Sequence, residues 1–167
     1  MATWQFDIDV LPRKQLLTLF GDVPSILNEG LRDTAAKWRE QRLPTDCESR
    51  ISKILPEDRS WSPQIRMWGE ENGNRISLVY DDAGNRDAIS VRIDVRNPNT
   101  QFFEDIVEFA NSIDAVFLVI EDFQILDPGV DSLVMRMNQS NAYRFVEDPN
   151  EFLESIRTGK TNFRGFP

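Results

Sequence analysis

IRMWGEENGNRISLVYDDAGNRDAISVRIDVR (Ile65–Arg96) decides the fold. Apolar and polar residues alternate through it in three runs, IRMWGE, NRISLVYDD and RDAISVRIDVR, separated by ENGN and DAGN. Such alternation marks a strand with one buried face, because successive side chains leave the backbone on opposite sides. In the third run Ile89, Val91, Ile93 and Val95 point to a core, and Ser90, Arg92, Asp94 and Arg96 point away. Asn72–Gly73 tolerates the positive φ of a tight hairpin turn, so a three-strand antiparallel meander is expected. DDAGN crowds acidic residues, but no register places oxygen ligands and glycine as a calcium loop requires, and strands flank it where such a loop needs helices. It reads as the second turn.

Outward from the meander, TWQFDIDV (Thr3–Val10) alternates as well: Trp4, Phe6, Ile8 and Val10 face one way, Gln5, Asp7 and Asp9 the other. LPRKQLLTLFG reads as a short helix with Pro12 near its start and Gly21 as its stop. VPSILNEGLRDTAAKWREQRL (Val23–Leu43) reads as a longer helix with Leu27, Leu31, Ala35 and Trp38 on one stripe. Residues 44–63 are irregular apart from a short helix at SRISKIL. Downstream, TQFFEDIVEFANSI is amphipathic, AVFLVIE is a strand covered on both sides, and FQILDP extends the sheet. Asp127–Pro128 opens one helix; AYRFVE reads as a short strand; Asp148, Pro149 and Glu151 make a capping-box-like start for the last helix. The tail, 158–167, is basic and expected to be mobile.

These elements predict one α+β domain over residues 1–157. Its sheet is mixed but mainly antiparallel: the central three-strand meander, the N-terminal strand, and one right-handed βαβ-like crossover from Ala88 to Glu121. Helices pack mainly on one face. The expected core centres on Phe6, Ile8, Val91, Ile93, Phe103, Ile106, Phe117, Leu118 and Val119.

The composition narrows the chemistry. Among 167 residues there is no histidine, which removes Ser–His–Asp and Cys–His catalysis and histidine metal ligation. The net charge of -9 disfavours a nucleic-acid partner. The longest apolar run, AVFLVI, is too short to span a bilayer, and no basic-then-apolar leader opens the chain, so a cytoplasmic, membrane-free location is expected. The single cysteine, Cys47, has no histidine to activate it and reads as a structural thiol. TGKT (Thr158–Thr161) resembles the end of a phosphate-binding loop, but Glu154 stands where that loop needs glycine. No cofactor, metal or catalytic residue is assigned.

What remains is the polar sheet face. Asp7 and Asp9 alternate on one strand, Arg92, Asp94 and Arg96 on another. Opposite charges on neighbouring strands pair at roughly 0.2–1 kcal/mol each, or together form a recognition face for a protein. Trp61, in the loop RSWSPQ, is either core or an interface anchor. The expected function is a non-catalytic, acidic protein-binding domain, which its charge extends to an immunity or inhibitor protein for a basic partner, with Asp7, Asp9, Arg92, Asp94, Arg96 and Trp61 as contact residues. The alternatives are a metal-assisted hydrolase built on carboxylates and arginines, and an accessory structural domain of a larger assembly.

Overall fold

The computed structural model describes residues 3–161; the end of the expected mobile tail, 162–167, lies outside the described residues. The strands are β1 (Gln5–Pro12), β2 (Glu57–Asp58), β3 (Ile65–Gly69), β4 (Arg75–Tyr80), β5 (Arg86–Asp94), β6 (Ala115–Val119) and β7 (Ile125–Leu126). They form one sheet in the order β2-β3-β4-β5-β1-β6-β7. The helices are α1 (Arg13–Phe20), α2 (Arg32–Ala35), α3 (Cys47–Ile54), α4 (Thr100–Ser112), α5 (Val130–Asn138), α6 (Asn141–Glu147) and α7 (Pro149–Arg157). The protein is an α+β fold, as the alternation predicts.

The meander is β3-β4-β5, with the expected strands in the expected order. The crossover is present too. β5, α4 and β6 follow one another, and β5 and β6 each run antiparallel to β1, so they are parallel to each other with β1 between them. Every hydrogen-bonded neighbour pair in the sheet is therefore antiparallel.

Alternation sorts the core into two layers. Phe6, Ile8 and Val10 of β1, Ile89, Val91 and Ile93 of β5, and Phe117 and Val119 of β6 belong to the larger cluster. Ile51 of α3, Phe103 and Ile106 of α4, and Leu133 and Met137 of α5 complete that layer. The opposite face is covered only at β1, β6 and β7, where Leu11, Val116, Leu118 and Ile125 meet Leu16, Leu27 and Ala35. All nine expected core residues are buried, Leu118 in the second layer because β6 is covered on both sides. Among the described residues no helix is long and apolar enough to cross a membrane.

Three local readings change. The helix expected over Val23–Leu43 is absent as such. Leu27 N–H donates to the Phe123 carbonyl at 2.9 Å, Ile125 N–H donates to the Ser25 carbonyl at 2.8 Å, and Ile26 bridges Gln124. Pairing beside β7 holds residues 25–27 extended, and helix begins only after Asn28, whose side chain accepts the Gly30 N–H at 2.9 Å. Trp38 then leaves the stripe and joins the larger cluster. The strand expected at AYRFVE is α6: the Ser140 hydroxyl accepts the Tyr143 N–H at 3.1 Å as its cap, and Ala142 and Val146, one turn apart, pack into the larger cluster. The turn at ENGN closes through Glu70 N–H to the Asn74 carbonyl, 3.1 Å, and its positive φ (97°) sits at Gly69 instead of Asn72–Gly73. A Cβ on Gly69 would lie 2.0 Å from the Asn74 carbonyl oxygen, so only glycine fits.

Three substitutions test this account by chemical denaturation. Ile93→Ala, at a fully buried position, should cost about 2–5 kcal/mol. Gly69→Ala should cost at least about 2 kcal/mol, because a left-handed φ and a backbone clash add. Gly84→Ala, with φ 78° but nothing within 4 Å, should cost only the conformational term of about 1–2 kcal/mol. Equal losses at Gly69 and Gly84 would contradict the clash.

Candidate functional site

The open half of the second sheet face is built by outward residues of β3, β4, β5 and the start of β1. Register places Arg75 opposite Arg92 and Arg92 opposite Asp7. The next row is Met67, Ser77, Ser90 and Asp9. Like charges directly opposite repel, and each arginine has its own carboxylate: Arg92 Nε donates to Asp7 Oδ1 at 3.2 Å, and Arg75 Nη2 to Asp58 Oδ2 at 2.9 Å.

All residues of these two rows but Asp9 line a shelf of about 290 Å³, to which Met67, with Ile65 and Val79, gives an apolar side and Trp61 a rim. Trp61 is 80% exposed. Its loop is nonetheless fixed. The Ser60 hydroxyl donates to the Ser62 carbonyl at 2.8 Å, that carbonyl accepts the Ile65 N–H at 3.2 Å, and Gln64 Nε2 donates to Asp82 Oδ1 at 2.8 Å in the next turn. A hydrogen-bonded loop that carries an exposed indole beside an uncovered patch of sheet loses little backbone freedom when a partner covers it.

Two polar atoms of the shelf residues, Asp7 Oδ2 and Arg75 Nε, are buried without a hydrogen-bond partner among the described residues. Each such atom costs about 1–3 kcal/mol. Burial raises the Asp7 carboxyl above its ordinary value, and the neighbouring Arg92 only partly offsets it.

Of the residues singled out in the sequence, Asp7, Arg92 and Trp61 meet on this shelf. Asp9, Asp94 and Arg96 do not. Asp9 lies under α2, where Arg32 Nε and Nη2 grip both its oxygens at 2.6 and 3.2 Å. Asp94 is buried at the end of β5. It accepts the Arg96 Nε and backbone N–H at 2.9 and 3.0 Å, while Arg96 Nη2 reaches the Asn72 carbonyl at 2.6 Å and its guanidinium stacks 4.5 Å over Trp4. This pair ties the β3–β4 turn to the ends of β5 and β1. The shelf residues not singled out as contacts include Ile65, Met67, Arg75, Ser77, Val79 and Ser90. The signal for them was present, since Arg75 and Ser77 alternate with the core residues Ile76 and Leu78.

The other loaded stretch is spent on its own backbone. Asp81 Oδ1 accepts the N–H groups of Ala83 and Asn85 at 2.9 and 2.8 Å, and Asn85 Nδ2 reaches both oxygens. Those bonds, from Asn85 first, hold its carboxyl below the ordinary value. Cys47 is fully buried, and burial pushes its thiol up to about 12, so it is un-ionised at neutral pH and a poor nucleophile.

Compared with protein-family models, with curated proteins and with solved structures, the chain matches none.

The two sheet aspartates should respond to pH with opposite signs. Burial alone would raise Asp94, but the bonds from Arg96 outweigh it and hold the carboxyl below its usual 3.8. Its contribution is therefore full above pH 3.8 and lost as pH falls below it. Asp7 lies above 3.8. It favours the fold below pH 3.8, and that advantage is lost as pH rises through its folded value. At pH 7, Asp94→Asn should thus lower stability by about 1–3 kcal/mol, while Asp7→Asn leaves it unchanged or raises it. Thermal melts at pH 7 and pH 3 check both signs, and a large loss for Asp7→Asn at pH 7 would contradict the assignment.

Proposed function

We propose that this protein is a non-catalytic protein-binding domain whose contact site is the shelf on the open half of its sheet. The observation that supports the reading is Trp61, an exposed indole on a hydrogen-bonded loop at the rim of a patch with an apolar side. Exposed aromatics of this kind anchor interfaces. The shelf itself is close to neutral, since each guanidinium faces a carboxylate. The net charge of -9 acts at longer range, drawing in a basic partner and raising its association rate. An immunity or inhibitor protein for a basic partner is the form of this function that the charge favours.

A second reading, an accessory domain of a larger assembly, has one observation in its favour. Leu17, Leu19, Phe20, Ile26 and Leu31 are exposed large apolar residues within one segment of the chain, the kind of surface that another subunit covers. The hydrolase reading has none: Asp9, Asp81 and Asp94 are each engaged by arginines or amides, and the shelf carries one carboxylate, Asp7.

Capture from the host, followed by affinity measurement with the purified partner, separates these readings. Trp61→Ala should weaken binding by about 2 kcal/mol or more, some thirtyfold, with the melting midpoint unchanged. The wild-type association rate should fall as salt rises. Loss of binding in Phe20→Ser or Ile26→Ser, with Trp61→Ala silent, would replace the shelf by the apolar segment.

A further inference from the structure

A second site lies apart from the shelf. The chain that leaves α2 and the β4–β5 turn enclose a cleft of about 610 Å³. Arg39, Arg42 and Arg86 line it against one carboxylate, Asp81, in a protein that is otherwise strongly acidic.

The four charges are not equivalent. Arg86 is committed: its guanidinium donates to both oxygens of Glu48 at 2.8 and 2.7 Å and to the Thr45 carbonyl at 3.1 Å. Asp81 is committed to the turn, as described above. Arg39 is 69% exposed, and the carboxylate nearest it is Asp87 at 3.8 Å, which Lys37 already holds. Arg42 has no hydrogen bond or ion pair among the described residues. The cleft thus presents two guanidiniums with unused donors.

Its floor is rigid and apolar. Trp38 is 2% exposed. Its indole N–H donates to the Val10 carbonyl at 3.1 Å, and its backbone N–H to the Asp87 carbonyl at 3.0 Å. Leu43 lies beside it. Guanidinium forks match carboxylate and phosphate oxygens in pairs, and a concave, low-dielectric wall strengthens that attraction relative to an open surface.

We propose that this cleft binds an anionic group, carboxylate or phosphate, through Arg39 and Arg42, with any apolar body of the ligand resting on Trp38 and Leu43. The site is independent of the shelf, so either stands if the other fails.

The test is a nuclear magnetic resonance titration of the whole chain, following the arginine Nε–H groups and the Gly84 and Asn85 amides. The probes are inorganic phosphate, acetate and benzoate, with sodium chloride at matched ionic strength. Saturable shifts at Arg39, Arg42 and Asn85 are expected, with dissociation constants of about 1–10 mM for the bare ions. Phosphate alone saturating assigns a phosphate site, acetate alone a carboxylate site, and benzoate binding tighter than acetate supports the apolar floor. In Arg39→Gln/Arg42→Gln the shifts should vanish, and in Arg59→Gln, an exposed arginine of the β2–β3 loop, they should persist. If the double variant melts early, Arg42→Gln alone, with no bond to lose, must weaken binding at least threefold. No saturable shift up to about 50 mM, equal shifts with chloride, or shifts that survive the double variant overturn the proposal.

Discussion

Everything in this fold hangs on the two-sided pairing of β1. The strand bonds to β5 on one edge and to β6 on the other, and Ile8 and Leu11, fully buried, point into opposite layers. Because β1 separates β5 from β6, the crossover through α4 joins two halves of the sheet that do not otherwise bond. One half is the meander, whose second face is bare. The other is β6–β7, whose second face lies under residues 13–36. The candidate shelf lies on the bare half and ends at β1.

That division also explains why the charged face is not one surface. Asp7 and Asp9 are neighbours on the same side of β1, and sequence alternation treats them alike. Asp7 sits where cover has ended, and Asp9 sits beneath Arg32. A single step of two residues turns a shelf-lining carboxylate into a buried brace.

The meander was legible because period two is a local property: three runs of alternating residues needed no knowledge of the rest of the chain. The covered strand β6 and the capped helix α7 were legible for the same reason, the first from an unbroken apolar run, the second from Asp148 and Glu151. Residues 23–43 were not. Their apolar spacing fits a helix, but contacts with Phe123 and Ile125 hold the chain extended, and no local pattern encodes a partner that distant. The α6 segment was ambiguous by periodicity, and the Ser140 cap was the overlooked sign. Of the site, Asp7, Arg92 and Trp61 could be named from alternation and loop context. Asp94 and Arg96 satisfy each other within two residues, a closure that alternation alone does not reveal.

The position of β1 has a consequence for how the protein is made. Asp7 and its partner Arg92 are 85 positions apart, so the central strand is synthesised long before either neighbour exists. At ribosomal rates of about 5–20 residues per second, it waits several seconds as an unpaired edge. High contact order slows the closing of such a strand. Exposed β edges are also where chains aggregate, and charges set along them discourage it. Asp7 and Asp9 interrupt the apolar run of β1 during that interval. The carboxylate whose burial is unfavourable in the finished sheet is, in an unpaired strand, a charge of the kind that discourages edge-to-edge pairing.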